Sequence, residues 1–441
     1  ANIEEIKKIL APFTTAVPIH FTDKPEEYSK YWAIRSGIFP SVGGTRQLGT
    51  TVLIEDVAFP LKDLPEATAD LQALLETNNY LDACIYGHAL EGNYHFIISQ
   101  SFDTPEQIAR YEKLMDEVKT LVVDKYDGSL KAEHGTGRNM APFVKYEWGE
   151  KAYGFMKAVK DLFDPKGLLN PGGIFNDDPH CHIKNFKPMP LSNAHVDRCI
   201  ECGFCEVNCL TCGFSLSSRQ RIVIHREISR LKTCADPESQ KRLNTLRRQY
   251  KYLGNATCAG DGLCSMSCPM GINVGDLTHD IRQENLPAGS IGYKTGDFVA
   301  NHFAATKAGL RPILYLADTA HKLLGSQSMS AIGKGLHRLG LPLWTAAMPK
   351  PYYPHKIEQH EEPLKVVYFP SCINQTMGTA KNSPEQTPLI DKTVALLQKA
   401  GYEVIFPKNM KNLCCGTIWE SKGMMDIADR KSAELEEALY Q

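Results

Sequence analysis

The stretch DACIYGHALEGNYHFIIS, residues 82–99, contains two apolar runs separated by a short polar turn. β-Branched and aromatic residues on both sides of Leu90–Asn93 are typical of two strands joined by a tight connection. The stretch therefore predicts a β-hairpin, and strands joined by such a turn pair antiparallel.

The segments on either side of the hairpin alternate between strand and helix patterns. Residues 50–61, TTVLIEDVAFPL, have the β-branched character of a strand, and residues 62–79 then show helical periodicity. Residues 103–128 form a further helical pattern, with Thr104 as its N-cap. An antiparallel sheet with helices on one face belongs to the α+β class. We predict such a domain for residues 1–178.

The rest of the chain divides into three further segments. Residues 190–295 are predicted to form an α-helical domain with two cysteine runs, and residues 296–363 a connecting region. Residues 364–441 begin with the strand-like LKVVYFPSC and continue through a helix to GYEVIF, which indicates the start of an α/β module. This order is expected to bring Cys372 close to the pair Cys414–Cys415.

The composition excludes several classes of protein. The chain has 441 residues and a net charge of −2, which argues against nucleic acid as its main partner. Its first residues lack the basic start and apolar core of a secretory signal. No stretch approaches the roughly 20 uninterrupted apolar residues of a membrane span. Most of the 14 cysteines lie between Cys199 and Cys415 in tight spacings, which favours metal ligation in a reducing cytoplasm over disulfides.

The first cysteine run is CIECGFCEVNC, residues 199–209. It places four cysteines in unbroken C-x2-C-x2-C-x3-C order, at Cys199, Cys202, Cys205 and Cys209. Structural zinc more often uses two separated C-x2-C pairs, so the run favours a [4Fe–4S] cluster, with zinc as the alternative.

The second run, CAGDGLCSMSCP at residues 258–269, has an aspartate at one cysteine position. In two-cluster ferredoxins the fourth cysteine of each run ligates the other cluster. This pattern assigns one cluster to Cys199, Cys202, Cys205 and Cys268, and the other to Cys209, Cys258 and Cys264. Three alternatives remain for the eighth ligand position: oxygen from Asp261, which has the expected offset; sulfur from Cys212, which does not; or a [3Fe–4S] cluster.

A group of histidines and a carboxylate forms a second constellation. His88 and His95 flank the predicted hairpin turn, and Glu133 and His134 lie on the glycine-rich KAEHGTGR. Two histidines and a carboxylate can hold a divalent metal with open positions for a substrate carboxylate and hydroxyl. A neighbouring histidine can take the hydroxyl proton. The alternative is a polar turn with ordinary hydrogen-bonded histidines.

Five motifs between about residues 30 and 176 resemble, in order, the substrate-binding cap domain of FAD-linked D-2-hydroxyacid dehydrogenases. They are WAIRSGIFP, EDVAFPL, GHALEGNYHF, SLKAEHGTGR and LFDPKGLLNPGGIF. The resemblance implies a divalent metal, zinc in the first place, on His88, His95 and Glu133. It implies His134 as the general base that deprotonates the substrate hydroxyl, with FAD as hydride acceptor.

The resemblance also implies the substrate contacts. Arg35 would clamp the substrate carboxylate with its planar guanidinium, and Asn170 would lie near the flavin ring. Ile54 and Ile97 stand where the 2-hydroxyglutarate enzymes carry a lysine and an asparagine. These departures favour D-lactate, although Arg46 can compensate for the lost contacts to a distal carboxylate.

The cysteine-containing segments resemble a different set of proteins. Their fusion to the cap motifs is similar to long bacterial flavin/iron–sulfur D-lactate dehydrogenases. The PSC…CCG tail is similar to modules of heterodisulfide reductase and anaerobic glycerol-3-phosphate dehydrogenase. This similarity implies a further cluster or thiol site at Cys372, Cys414 and Cys415.

The family's flavin domain precedes the cap, but residues 1–30 contain no glycine-rich pyrophosphate loop. The tail also stops before the C-x2-C that the cysteine-rich module needs. We therefore expect an internal piece of a longer protein or a truncated gene product, with the main FAD domain elsewhere.

The function predicted on these grounds is oxidation of D-lactate to pyruvate by a flavin-dependent dehydrogenase. Two [4Fe–4S] clusters would pass the electrons to a quinone or a cytochrome. We expect a cytoplasmic protein at the inner face of the membrane. Two basic segments, residues 218–232 and 241–252, could contact anionic lipid there. A solvated helix face is the favoured interpretation of these two segments. The alternatives are a D-2-hydroxyglutarate dehydrogenase, a non-catalytic iron–sulfur electron-transfer subunit and a structural zinc protein.

Overall fold

The computed structural model describes residues 2–15, 17–338, 343–355, 361–380 and 383–440. The chain divides into two compact units, residues 1–277 and residues 278–441. The first unit contains the histidine constellation and both cysteine runs. The domain borders given above stay predictions.

The N-terminal part of the first unit combines helices with a small sheet. Its helices are α1 (Asn2–Leu10), α2 (Pro25–Thr45), α3 (Leu64–Thr77), α4 (Pro105–Lys119) and α5 (Val144–Phe163). Its strands are β1 (Thr51–Ala58), β2 (Cys84–His88) and β3 (Asn93–Gln100). The strands pair antiparallel in the order β1–β3–β2, which confirms the hairpin and agrees with the α+β class.

Helix α4 shows how the local sequence sets an element boundary. The Thr104 hydroxyl accepts from the Gln107 N–H at 3.4 Å, and Gln107 Oε1 accepts from the Thr104 N–H at 3.2 Å. This capping box satisfies donors that have no partner in the first turn of a helix. The helix then buries Tyr111 and Leu114 in the same core as Phe96 of β3.

The strand register brings polar residues together at one end of the sheet. His95 of β3 lies opposite Asp56 of β1 and opposite Tyr86 of β2. His88 ends β2 and lies opposite Asn93. Directly opposed residues on neighbouring strands are close enough to interact, so the hairpin itself positions both histidines.

The rest of the first unit is helical and carries the cysteines. It contains α6 (Ser218–Lys232), α7 (Pro237–Tyr250) and the start of α8 (Val274–Asn285). Each cysteine run forms a short 3-10 turn, Phe204–Asn208 in the first and Leu263–Ser267 in the second, and the two turns pack together. Gly203 and Gly262 precede them with φ angles of 90° and 71°, a left-handed conformation that favours glycine.

The second unit combines long helices with two two-stranded sheets. Its helices are α9 (Ile291–Asn301), α10 (Phe303–His337), α11 (Leu389–Lys399), α12 (Thr417–Glu420) and α13 (Met425–Tyr440). Its strands are β4 (Pro349–Pro351), β5 (Leu364–Val367), β6 (Met377–Ala380) and β7 (Tyr402–Ile405). Strands β5 and β7 pair parallel around α11, which confirms the βαβ order.

Helix α10 occupies the segment predicted as a connecting region. The prediction named no helix in this segment. Pro312 and Gly325 lie inside α10, and Gly325 has a non-helical φ of 76°. Among the described residues, no helix is long and apolar enough to cross a membrane.

Candidate functional site

Glu133 lies at the centre of a cluster of three histidines. Its Oε1 atom is 2.9 Å from His95 Nε2, 3.3 Å from His88 Nε2 and 3.4 Å from His134 Nε2. The hairpin strands supply His88 and His95, and the loop before α5 supplies the other two residues. The ligand atoms of His88, His95 and Glu133 all lie within 4.8 Å of one another.

Asp56 anchors the loop that carries Glu133 and His134. Its Oδ2 atom accepts from the backbone N–H groups of Ala132, Glu133 and His134, at 3.1, 2.8 and 2.8 Å. Burial alone would raise the pKa of the Asp56 carboxyl, but the N–H donors of His134 and Glu133 outweigh it and hold the pKa below its usual range. The Oδ1 atom lies 3.4 Å from His95 Nδ1. A carboxylate on the far nitrogen is typical of histidines that bind metals.

Arg35 reaches the cluster from α2. Its Nη2 atom lies 2.9 Å from His88 Nε2. The ring of His134 stacks on that of His95, with centroids 4.5 Å apart and planes 7° from parallel. His95 is buried, whereas the side chains of His88, Glu133 and His134 are about two-fifths exposed. The cluster is therefore accessible from solvent through these three side chains.

The donor set fits a divalent ion. Two imidazole nitrogens and one carboxylate oxygen are typical of zinc and related ions that keep positions open for substrate. Burial, with the neighbouring His134 as the next cause, lowers the pKa of His95. A neutral imidazole is the form that binds a metal.

Arg46 and Asn170 have other surroundings. Arg46 is 6% exposed, and its five N–H donors bind five backbone carbonyls, those of Gly43, Thr50, Asp197, Arg198 and Cys199. A substrate carboxylate would have to displace one of these bonds. Asn170 has a φ of 43° in the turn after α5, where it lines an open cleft together with Lys160 and Gly172.

Four cysteines line one cavity of the first unit. They are Cys199, Cys202, Cys205 and Cys268, three from the first run and one from the second. Pro40 of α2, Ile200 and Ile222 supply its apolar walls. Burial raises the pKa of the Cys205 thiol to about 11. We call this space the first cysteine cavity.

Three cysteines line a neighbouring space, the second cysteine cavity. They are Cys209, Cys258 and Cys264. Asp261 also lines it, whereas Cys212 is not among the described residues on its wall. Burial would raise the pKa of Cys209, but hydrogen bonds from Thr211 and Arg221 lower it. Asp261 is exposed, and its Oδ1 accepts from the Leu263 N–H at 3.2 Å, so the eighth ligand stays a prediction.

The cysteines of both cavities are spaced more widely than the four ligands of a single zinc ion. Four thiolates at about 2.3 Å from one zinc ion would lie roughly 3.8 Å apart. Within the described ranges, no three cysteine sulfurs lie within 4.8 Å of one another. Cysteines at this wider spacing are compatible with ligands of a multi-atom iron–sulfur group, as the spacing of the two runs predicts.

Cys372 and Cys414 meet in the second unit. A hydrogen bond with the Cys414 thiol, the largest cause, lowers the pKa of Cys372. Lys307 is buried nearby, and its Nζ donates to Gln375 Oε1 at 2.7 Å. Burial lowers the pKa of Lys307 to about 8. Cys415 is exposed and contacts the Thr417 hydroxyl at 3.4 Å.

The sequence reasoning missed two buried acids of β1. Asp56 is 0% exposed, and Glu55 is 2% exposed with Lys131 Nζ and Asn139 Nδ2 both at 2.9 Å. The sequence did contain a signal, namely two adjacent acidic residues within an apolar strand. Acidic side chains are rarely buried unless they are paired, so their position in such a strand indicates buried partners. Arg221, fully buried beside the second cysteine cavity, was also missed and has no local signal.

Comparisons with known proteins match the part of the chain that contains the histidine cluster. Residues 1–174 match the family described as FAD linked oxidases, C-terminal domain. The glycolate oxidase subunit GlcD of Escherichia coli (strain K12) is 30% identical over 182 residues, 41% of this chain and 35% of that protein. The mitochondrial D-lactate dehydrogenase [cytochrome] 1 of Saccharomyces cerevisiae is 26% identical over 183 residues, 41% of this chain and 30% of that protein.

A D-2-hydroxyglutarate dehydrogenase of Stutzerimonas stutzeri is 33% identical over 127 residues, 27% of this chain and 26% of that protein. The chain therefore spans about a third or less of the length of these relatives. The matched family region, residues 1–174, lies in the part of the chain that precedes the cysteine runs.

Proposed function

We propose that this chain is the substrate-binding and electron-relay part of an FAD-dependent D-2-hydroxyacid dehydrogenase, with D-lactate as substrate. The observation that carries the proposal is the position of Glu133 Oε1, within 3.4 Å of three histidine nitrogens and beside Arg35. A divalent ion held by the histidine cluster next to an arginine is suited to bind a small molecule that carries both a hydroxyl and a carboxylate. The family match and the names of the relatives support the same class.

Each residue of the histidine cluster has a proposed task. His88, His95 and Glu133 hold a divalent ion, zinc in the first place, and Asp56 orients His95. His134 lies 3.4 Å from Glu133 Oε1 and takes the proton of the substrate hydroxyl. Arg35 binds the substrate carboxylate with its guanidinium fork, which requires it to release His88 Nε2 when the metal occupies that nitrogen.

FAD, when bound, supplies the acceptor for the hydride from C2 of the hydroxyacid. Asn170 contributes to the flavin contact from this chain. Ile54 and Ile97 offer no polar group to a second carboxylate, which favours D-lactate over D-2-hydroxyglutarate.

The two cysteine cavities hold two [4Fe–4S] clusters. Cys199, Cys202, Cys205 and Cys268 bind the first cluster; Cys209, Cys258, Cys264 and Asp261 bind the second. These clusters relay electrons to a quinone or a cytochrome, and we place the protein in the cytoplasm at the inner face of the membrane. A non-catalytic electron-transfer subunit is the alternative, but it would have no use for the histidine cluster.

Metal analysis tests the histidine cluster. The wild-type chain is expected to hold about one divalent ion per molecule beyond its iron, and His88→Ala and His95→Ala should each remove that ion. His180→Ala is the matched control, because His180 pairs with Glu112 at 3.2 Å outside the cluster. Unchanged zinc or manganese in both cluster variants would refute the assignment.

Calorimetry of the zinc-loaded chain tests the substrate class. D-Lactate should bind more tightly than L-lactate and D-2-hydroxyglutarate, and Arg35→Lys should weaken that binding. Equal binding of both lactate enantiomers would argue against a dehydrogenase site.

Spectroscopy tests the cysteine cavities. Anaerobically reconstituted protein should be brown, with a broad absorption band near roughly 400 nm, and Cys258→Ser should lose part of it. Cys234→Ser is the control, since Cys234 is on the wall of neither cavity. A colourless protein that contains zinc in place of iron would refute the iron–sulfur clusters and support the alternative of a structural zinc protein.

A further inference from the structure

Arg221 is buried against the second cysteine cavity. It lies in the first turn of α6 and is 1% exposed. Its Nε donates to the Gly254 carbonyl at 2.7 Å, and its Nη2 donates to the hydroxyls of Thr211 and Thr257 at 2.9 and 3.1 Å. The remaining nitrogen, Nη1, lies 3.6 Å from Cys209 Sγ, within hydrogen-bond distance for sulfur. Every nitrogen of the guanidinium is therefore held in place, and one points at a cysteine of the cavity.

The charge of Arg221 has no carboxylate partner among the described residues. The three other arginines of α6 do have one: Arg219 pairs with Glu206 at 3.2 Å, Arg226 with Glu201 at 2.8 Å, and Arg230 with Glu227 at 2.8 Å. A buried charge without a counter-charge is strongly unfavourable. An anionic iron–sulfur group held by thiolates in the adjoining cavity would supply the missing counter-charge.

We propose that Arg221 is a positioning residue that raises the reduction potential of the second cluster through Cys209. The inference rests on the proposed function, because it requires a cluster in the second cavity. A hydrogen bond to a ligating sulfur withdraws electron density from it, and a fixed positive charge stabilises the more negative reduced cluster. Both effects shift the potential in the same direction.

Thr211 supports this arrangement. Its hydroxyl oxygen accepts from Arg221 Nη2 at 2.9 Å and lies 3.5 Å from Cys209 Sγ. It therefore fixes the plane of the guanidinium beside the sulfur and also contacts the sulfur itself. Removing the Thr211 hydroxyl should therefore lower the reduction potential of the second cluster, as removing the guanidinium does. The positive charge of Arg221 stays in place in this variant.

The test is a redox titration of the full chain, reconstituted anaerobically and followed by paramagnetic resonance. Arg221→Gln should lower the midpoint potential of one of the two clusters and leave the other unchanged. Arg221→Lys keeps the positive charge but loses the planar guanidinium with its several N–H donors. Its shift in midpoint potential should therefore be smaller than that of Arg221→Gln. Thr211→Val should shift the same cluster. Asp261→Cys identifies that cluster, because Asp261 lines only the second of the two cysteine cavities.

Arg219→Gln is the matched control on the same helix. Arg219 lines the first cysteine cavity, is about one-third exposed and already has Glu206 as partner, so the second cluster should keep its potential. Full iron content with unchanged potentials in Arg221→Gln would overturn the inference, as would equal shifts of both clusters. Loss of iron in all three Arg221 and Thr211 variants would make Arg221 a structural residue. A wild-type chain that takes up no iron would contradict the proposed function instead.

Discussion

Replacing Asp56 with asparagine should loosen the loop that carries Glu133 and His134. The Oδ2 atom accepts three backbone N–H bonds, at 2.8 to 3.1 Å. Asparagine has nearly the same shape, but it loses the charge and offers one neutral oxygen in place of two charged ones. A charge-assisted hydrogen bond is worth about 1 kcal/mol more than a neutral one, so three such bonds give about 3 kcal/mol for opening the loop. This corresponds to about a 10²-fold change in the opening equilibrium.

Amide hydrogen exchange followed by mass spectrometry measures this opening directly. In Asp56→Asn, a peptide that covers residues 132–134 should exchange about 10² times faster than in the wild type. Glu55→Gln is the matched control, because Glu55 is equally buried but contacts the side chains of Lys131 and Asn139. Exchange at wild-type rates in Asp56→Asn, or equal acceleration in Glu55→Gln, would refute the reasoning.

The pH dependence of the same loop follows from the lowered pKa of Asp56. A carboxyl whose pKa is lower in the folded protein stabilises the fold above its unfolded value, about 3.9. This contribution is lost as the pH falls through the folded value. Protection of residues 132–134 should therefore be constant from pH 7 to about 5 and decline below about pH 4 in the wild type. Asp56→Asn should show no such decline, because it has no proton to bind.

Five other variants test the remaining assignments. In the flavin-loaded enzyme, His134→Ala should lower kcat by about 10²–10⁴-fold with normal flavin content, and loss of flavin instead would make His134 structural. Arg35→Lys should raise KM for D-lactate steeply, and an unchanged KM would move the carboxylate contact elsewhere. Brief air exposure should convert one cluster to [3Fe–4S], which paramagnetic resonance detects; Asp261→Cys should abolish the conversion, and Cys212→Ser should not affect it. Gly87→Ala should destabilise the hairpin by about 1–3 kcal/mol in thermal unfolding, because its Cβ would overlap the Asn93 carbonyl oxygen.

The sequence predicted the hairpin well because the information is local. Apolar residues on both sides of Leu90–Asn93 define the strands, and the short turn leaves little freedom in their register. His88 and His95 therefore meet without any long-range information. The βαβ order around α11 was predictable for the same reason, since each element carries its own pattern.

Asp56 could not be assigned in this way. Its contact with His95 depends on the pairing of β1 with β3, and α3 and β2 lie between these strands in the sequence. The register of two strands without a connecting turn is set by packing of the whole sheet, which local patterns do not report. The contacts of Arg46 were even less predictable from local sequence, because Arg46 binds the carbonyls of Asp197, Arg198 and Cys199, about 150 residues away.

The eighth cluster ligand shows where spacing stops being informative. Spacing alone left Asp261 and Cys212 as alternatives, since each lies close in sequence to a cysteine of the second cavity. The structure does not make the choice either: the side chains of Cys212 and Asp261 are both exposed, and Asp261 Oδ1 accepts from the Leu263 N–H at 3.2 Å. The loop from Cys258 to Cys264 brings Asp261 to the cavity wall.

Helix α2 connects the histidine cluster to the first cysteine cavity within one rigid element. Arg35 contacts His88, Pro40 lines the cavity, and Arg46 at the end of the helix binds the carbonyl of Cys199. Arg226 of α6 binds the same carbonyl at 2.9 Å, so two buried guanidinium groups hold one peptide of the cysteine run. Cutting the chain between residues 178 and 190 would leave Arg46 buried without three of its five acceptors, and a buried donor without a partner is costly. The two segments therefore depend on each other for stability, which explains why they lie in one compact unit although their sequence patterns suggest separate domains.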